Sequence, residues 1–91
     1  MFKIEDERHA EQQPGEFSTF EDAIIELQRR ASLPWDQASN VAPCTSWKSC
    51  GRNYEVIEYD DSVCPWRELS RKAVLEIDSR GVRWNETLTQ S

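Results

Sequence analysis

Residues 41–61, VAPCTSWKSCGRNYEVIEYDD, divide the chain and decide how it folds. Tyr54, Val56, Ile57 and Tyr59 are β-formers with acidic residues set among them, which predicts a strand over 53–60. Gly51 supplies a turn position just before it. Residues 45–49 therefore either pair back as a short strand or form an irregular loop.

On the C-terminal side the pattern stays sheet-like. Residues 61–70 contain Pro65 and are expected to form a turn or one helical turn. Residues 72–78, KAVLEID, and 82–87, VRWNET, then form a hairpin around Asp78-Ser79-Arg80-Gly81. If all four turn residues loop out, Ile77 faces Val82 and Leu75 faces Trp84, so the apolar residues share a face. A three-residue loop would set Asp78 against Val82 and mix the faces, so the four-residue loop is preferred.

On the N-terminal side lies one helix. Phe20, Ile24, Leu27 and Ala31 recur at helical spacing, with Ala23 widening the apolar face. Ser18-Thr19-Phe20-Glu21 fits a capping box, placing the helix over 18–32 with Ser18 as its cap. Glu21, Asp22 and Glu26 lie early and Arg29 and Arg30 late, as the helix dipole favours. Leu33-Pro34 ends it, because the residue before a proline is pushed out of the helical region. Residues 34–43 are a connector, with Trp35 as a cover over the edge of the core. Residues 1–16 form a polar lead-in, in which Phe2 and Ile4 alternate with Lys3 and Glu5 and suggest an edge strand over 1–6. Such a lead-in is ordered by its own domain or by a partner subunit.

The fold expected is α+β: one N-terminal helix packed on a three- to four-stranded antiparallel meander, with residues 1–91 as a single domain. Ala73, Leu75, Ile77, Val82 and Trp84 would pack beneath the helix. The opposite sheet face would keep Val74 and either Tyr54 with Val56 or Ile57 with Tyr59. A single helix covers one face, so a second apolar face calls for a partner.

Composition narrows the functions. The 91 residues carry 17 acidic and 11 basic side chains, a net charge of −6, which argues against nucleic acid as a partner. Residues 1–61 hold 13 acids and 6 bases, and residues 62–91 hold 4 and 5. No apolar run approaches membrane-spanning length, and MFKIEDE at the start has no signal-peptide character. With three cysteines and no such signal, reduced thiols in a cytoplasmic protein are expected. Four tryptophans, each worth about 4–6 kcal/mol at most if fully buried, exceed what so short a chain hides within itself. At least one is expected in a pocket or a subunit interface.

No reaction is spelled out. Cys44, Cys50 and Cys64 are spaced too widely for paired zinc ligands, and the single histidine, His9, lies far off in the lead-in. They are expected to be metal-free thiols packing as small hydrophobes, and no cofactor is implied. No phosphate-cradling glycine loop is present. Glu58 and Asp60 point to one side of their strand, as general acid–base work needs, or as a solvated strand end would show. Trp47, Arg52, Tyr54, Glu58 and Trp84 together offer aromatic walls, one guanidinium and one carboxylate. That set suits a small-molecule pocket or an interface, unless Trp47 and Trp84 are plain core.

The run Ala42-Pro43-Cys44, Trp47, Cys50-Gly51-Arg52, Tyr54-Glu55 and Glu58-Tyr59-Asp60 resembles small bacterial proteins of the mobile integron gene-cassette kind. That resemblance implies a compact fold and frequent homo-oligomers, and it carries over no catalytic residue. The expectation is a non-enzymatic binding or interaction module that forms a homodimer through its exposed sheet face, with a small molecule or another protein as a further partner. The alternative is a small-molecule enzyme using Glu58 or Asp60 as a base beside an aromatic pocket. A thiol or metal site on the Cys44–Cys50 loop ranks below both.

Overall fold

The lead-in, polar as it is, supplies two strands. In the computed structural model, which describes residues 1–35, 37, 40 and 51–85, the elements in chain order are β1 (Phe2–Asp6), β2 (Glu11–Gln12), α1 (Phe20–Ala31), β3 (Arg52–Asp60), β4 (Arg67–Asp78) and β5 (Gly81–Trp84). They build one helix and a five-stranded sheet in the order β2-β1-β3-β4-β5, with every pairing antiparallel. The α+β class stands, with five strands in place of three or four. Only β3, β4 and β5 form the expected meander; β1 and β2 are a hairpin added to the far side of β3.

β1 is therefore an inner strand, not an edge. Ile4 lies opposite Val56 and Asp6 opposite Tyr54. The amide of Tyr59 donates to the carbonyl of Met1 at 2.8 Å, and Phe2 and Phe17 exchange backbone hydrogen bonds at 2.7 and 2.9 Å. The lead-in is ordered by its own domain.

The helix cap sits one residue later than the capping box suggests. Thr19 is the cap, its hydroxyl accepting from the amide of Asp22 at 3.1 Å, while Ser18 Oγ reaches only the Asp22 carboxylate at 3.5 Å. Ser18 and Thr19 are both competent caps, and the bond to the third helical amide selects Thr19. α1 then lays Ala23 and Leu27 on the sheet, with Phe20, Ile24 and Ala31 flanking them. The rest of the core is Ile4, Tyr54, Val56, Val74, Leu75 and Ile77, with Phe2, Phe17 and Trp35 against its margin.

The β4–β5 hairpin keeps the expected facing pairs, Leu75 with Trp84 and Ile77 with Val82. Asp78 pairs with Gly81 as well, so only Ser79 and Arg80 turn, with Gly81 at φ 128°, a conformation that glycine adopts without steric cost. The packing differs from expectation. Val82 and Trp84 are 40% and 41% exposed, because α1 rests chiefly on β1, β3 and β4 and β5 is the last strand of the sheet among the described residues. Trp84 is not core.

Ala73 also departs from the expected face. The ladder between β3 and β4 slips between Tyr54 and Glu55, whose partners are Leu75 and Ala73, leaving Val74 as an extra residue. Adjacent strand residues ordinarily point to opposite faces, and a bulge breaks that rule. Val74 and Leu75 are both buried in the helix-side core, Ala73 turns outward with Glu55, and Lys72 turns inward opposite Val56. A second slip, between Glu58 and Tyr59, passes over Leu69. Residues 61–66 are the turn, and β4 begins at Arg67, so the helical turn considered for 61–70 is replaced by strand over 67–70.

The outer sheet face is charged. Arg71 contacts Glu5 at 3.2 Å, Glu55 at 2.9 Å and Glu68 at 2.7 Å, and Arg8 contacts Glu76 at 3.0 Å. Ile57 is fully buried there between its cross-strand neighbours Lys3 and Arg71. The Trp66 ring lies 6.0 Å from that of Tyr59 and under the Lys3 ammonium. The apolar groups of this face are thus covered by the chain's own long side chains. The open apolar face expected here as the surface for a second copy is not formed, Val74, Tyr54 and Val56 lying in the helix-side core.

Candidate functional site

Of the five residues singled out in the sequence, the structure brings two together. Arg52 and Tyr54 point from β3 toward the C-terminal end of α1 and are buried. Glu58 projects from the same face four residues farther along, roughly 13 Å away at the rise of a strand. Trp84 stands at the β5 edge, where it also lines a depression of about 240 Å³ with Ala73, Arg83 and Asn85. Trp47, Cys44 and Cys50 lie outside the described residues, and Cys64 is exposed in the turn before β4.

Arg52 is the hub of a buried polar network. Its Nε donates to the Asn40 carbonyl at 3.1 Å, and its Nη1 donates to Asp6 Oδ2 at 3.0 Å and Glu11 Oε1 at 2.6 Å. Asp6, wholly buried, also accepts from the amides of Asn53 and Arg8 at 3.0 and 3.2 Å and meets His9 Nδ1 at 2.5 Å. The Tyr54 hydroxyl donates to Asn40 Oδ1 at 3.0 Å, while Asn40 Nδ2 donates to the carbonyls of Arg30, Leu33 and Pro34 at the end of α1. Arg30 lies 5.1 Å from the centre of the Tyr54 ring and donates to Gln13 at 2.8 Å.

The electrostatics follow from these contacts. Burial opposes the Arg52 charge, but hydrogen bonds to Glu11 and Asp6 outweigh it and hold the guanidinium above its ordinary pKa. The hydrogen bond from Arg52 holds the Glu11 carboxyl below the usual range, and burial pushes the Tyr54 phenol up. Among the described residues every buried side-chain nitrogen and oxygen has a hydrogen-bond partner. A network so fully paired fixes the helix end to the sheet and offers a ligand no free group.

The other end of the same face is different. A cavity of about 190 Å³ lies between α1 and the sheet, lined by Phe2, Phe20, Val56, Glu58, Ser70 and Lys72. Phe2 and Phe20 meet edge to face with ring centres 6.2 Å apart, and the Lys72 ammonium lies 5.5 Å from the centre of the Phe20 ring. Asp60, the other carboxylate considered, stands outside this cavity. Its Oδ1 accepts from both the Ser62 hydroxyl and the Ser62 amide, which hold it below the usual carboxylate range, with Arg67 3.5 Å from Oδ2.

The sequence reading missed Asp6, Asn40 and Lys72. Asp6 and Arg52 are 46 residues apart, and no spacing rule joins them. Lys72 was hidden by the bulge, since strict alternation puts it on the outer face. The apolar signal that could have found the cavity is Phe2 and Phe20, two aromatics flanking the lead-in. Comparison with known protein families, with curated proteins and with solved structures finds no match to this chain.

Proposed function

We propose that this protein is a binding or interaction module that acts as a homodimer, with two copies meeting along β5. The observation that carries this reading is the exposure of Val82 and Trp84, 40% and 41%, on the core-side face of a strand that, among the described residues, ends the sheet. An edge strand presents unpaired backbone amides and carbonyls to another strand. Two copies of β5 paired antiparallel about Arg83 would set Val82 of each copy opposite Trp84 of the other, a self-complementary contact of the kind a two-fold interface requires. Arg83 would meet its own copy across the axis. Its charge is already offset by Asp78 at 2.6 Å and Glu76 at 3.1 Å.

The acidic balance and the carboxylate-rich outer face favour protein or small-molecule partners over nucleic acid. Among the described residues no helix is long and apolar enough to cross a membrane, and a cytoplasmic setting with reduced thiols fits the same reading. The resemblance to gene-cassette proteins, with their frequent homo-oligomers, points the same way. A second reading, a small-molecule enzyme, narrows to Glu58, because it is Glu58 that lines an aromatic-walled cavity, whereas Asp60 is held low and is the weaker base.

Sedimentation velocity tests the dimer. The wild-type chain at micromolar concentration should run as a dimer and Trp84→Glu as a folded monomer. A wild-type chain that is monomeric under those conditions overturns the proposal.

A further inference from the structure

We propose that the cavity between α1 and the β3–β4 hairpin binds a small zwitterion of the α-amino-acid type, with Glu58 receiving its ammonium group and Lys72 its carboxylate. Glu58 and Lys72 stand on neighbouring strands and one face: Glu58 pairs with Ser70, and Lys72 is two residues on. Diagonal neighbours of this kind are about 7–8 Å apart, within reach of long side chains. They do not pair. Among the described residues the Glu58 side chain has neither a hydrogen bond nor an ion pair, and Lys72 instead rests its ammonium against the Phe20 ring.

Elsewhere on the sheet the opposite is seen, with Arg71 bonding three carboxylates at once. Two opposite charges held apart across a cavity, with Phe2, Phe20 and Val56 as apolar walls, match a ligand that carries both charges beside a small apolar body. A ligand with one charge would satisfy one of the two groups and leave the other facing it unpaired.

Size limits the ligand further. The cavity, about 190 Å³, is smaller than the roughly 300–1,000 Å³ typical of sites for drug-sized molecules. It equals about six water volumes at ~30 Å³ each, which suits an amino acid with a short aliphatic side chain. Ser70, on the same rim, offers a hydroxyl to either charged end.

The test uses the full chain and three probes: L-valine, isobutylamine (the same molecule without its carboxylate) and isovalerate (without its ammonium). Binding is followed by the ring-proton shifts of Phe2 and Phe20. L-valine should bind about tenfold or more tightly than either analogue, since a hydrogen bond to a charged group contributes at least that factor. Glu58→Gln should abolish the advantage of valine over isovalerate, and Lys72→Met its advantage over isobutylamine. Both variants should keep the wild-type circular dichroism spectrum. The proposal is overturned if valine shifts no Phe2 or Phe20 signal at tens of millimolar. Equal binding of all three probes, or variants that leave the preference intact, would overturn it as well.

Discussion

The two ends of the helix-covered sheet face handle charge in opposite ways. Around Arg52 and Asp6 every buried polar group is paired, and the arrangement is closed by the end of α1. Around Glu58 and Lys72, with Glu58 six residues beyond Arg52 or roughly 20 Å along the strand, opposite charges share a cavity without touching. A closed network holds elements together and specifies their geometry. An unpaired set around a space is where a ligand can gain free energy, because no internal partner has to be displaced.

The largest expected effect tests this contrast directly. Arg52→Met should destabilise by about 3–5 kcal/mol, since it takes the buried guanidinium from the wholly buried Asp6 carboxylate. Lys72→Met at the other end should stay within about 0.5 kcal/mol, as exposed substitutions generally do. Urea melts of the two variants measure both, and equal losses would erase the distinction between the ends. Tyr54→Phe comes next. It leaves the buried Asn40 oxygen without its donor and should cost about 1–3 kcal/mol, whereas replacing Ser70 by Ala should leave the melt unchanged.

The smallest effect is on acid stability. Hydrogen bonds from Arg29, joined by Arg30 against the opposing cost of burial, hold Glu26 at about 2 in place of 4.5, and Glu11 is lowered by Arg52. A carboxyl with a depressed folded pKa stabilises above its unfolded value and loses that contribution as pH falls through the folded one. Stability should therefore decline between about pH 4.5 and about pH 2. Thermal melts across that window should show a shallower decline in Arg52→Met, where the largest cause of the Glu11 shift is removed and the hydrogen bond from Gln13 remains. An unchanged slope in the variant would remove Glu11 from the closed network.

What could be read from the sequence was local. The α1 face, its basic end and the facing pairs of the β4–β5 hairpin follow from spacings of two to four residues, and the structure keeps them. Two other features were out of reach. The first half of β4, RELSRK, lacks alternation because its side chains are largely exposed on both faces, so no apolar period marked it as strand. The candidate set was legible in type but not in place. Arg52 and Tyr54 were chosen as polar groups on a strand, yet their partners, Asp6 and Asn40, come from distant segments. Trp84, chosen on a correct register, ended beyond the reach of the helix.

The extra residue at Val74 has a consequence for how the gene can change. Losing that codon would remove one buried methyl-bearing side chain and the carbonyl that accepts from the Asn85 amide, while leaving every β3 partner of β4 in place, because Leu75 and Ala73 already face successive residues of β3. Losing the codon for Glu76 would make Leu75 and Ile77 adjacent and send one of them to the charged side of the sheet. Within this strand, length can drift at Val74 without scrambling what each face displays.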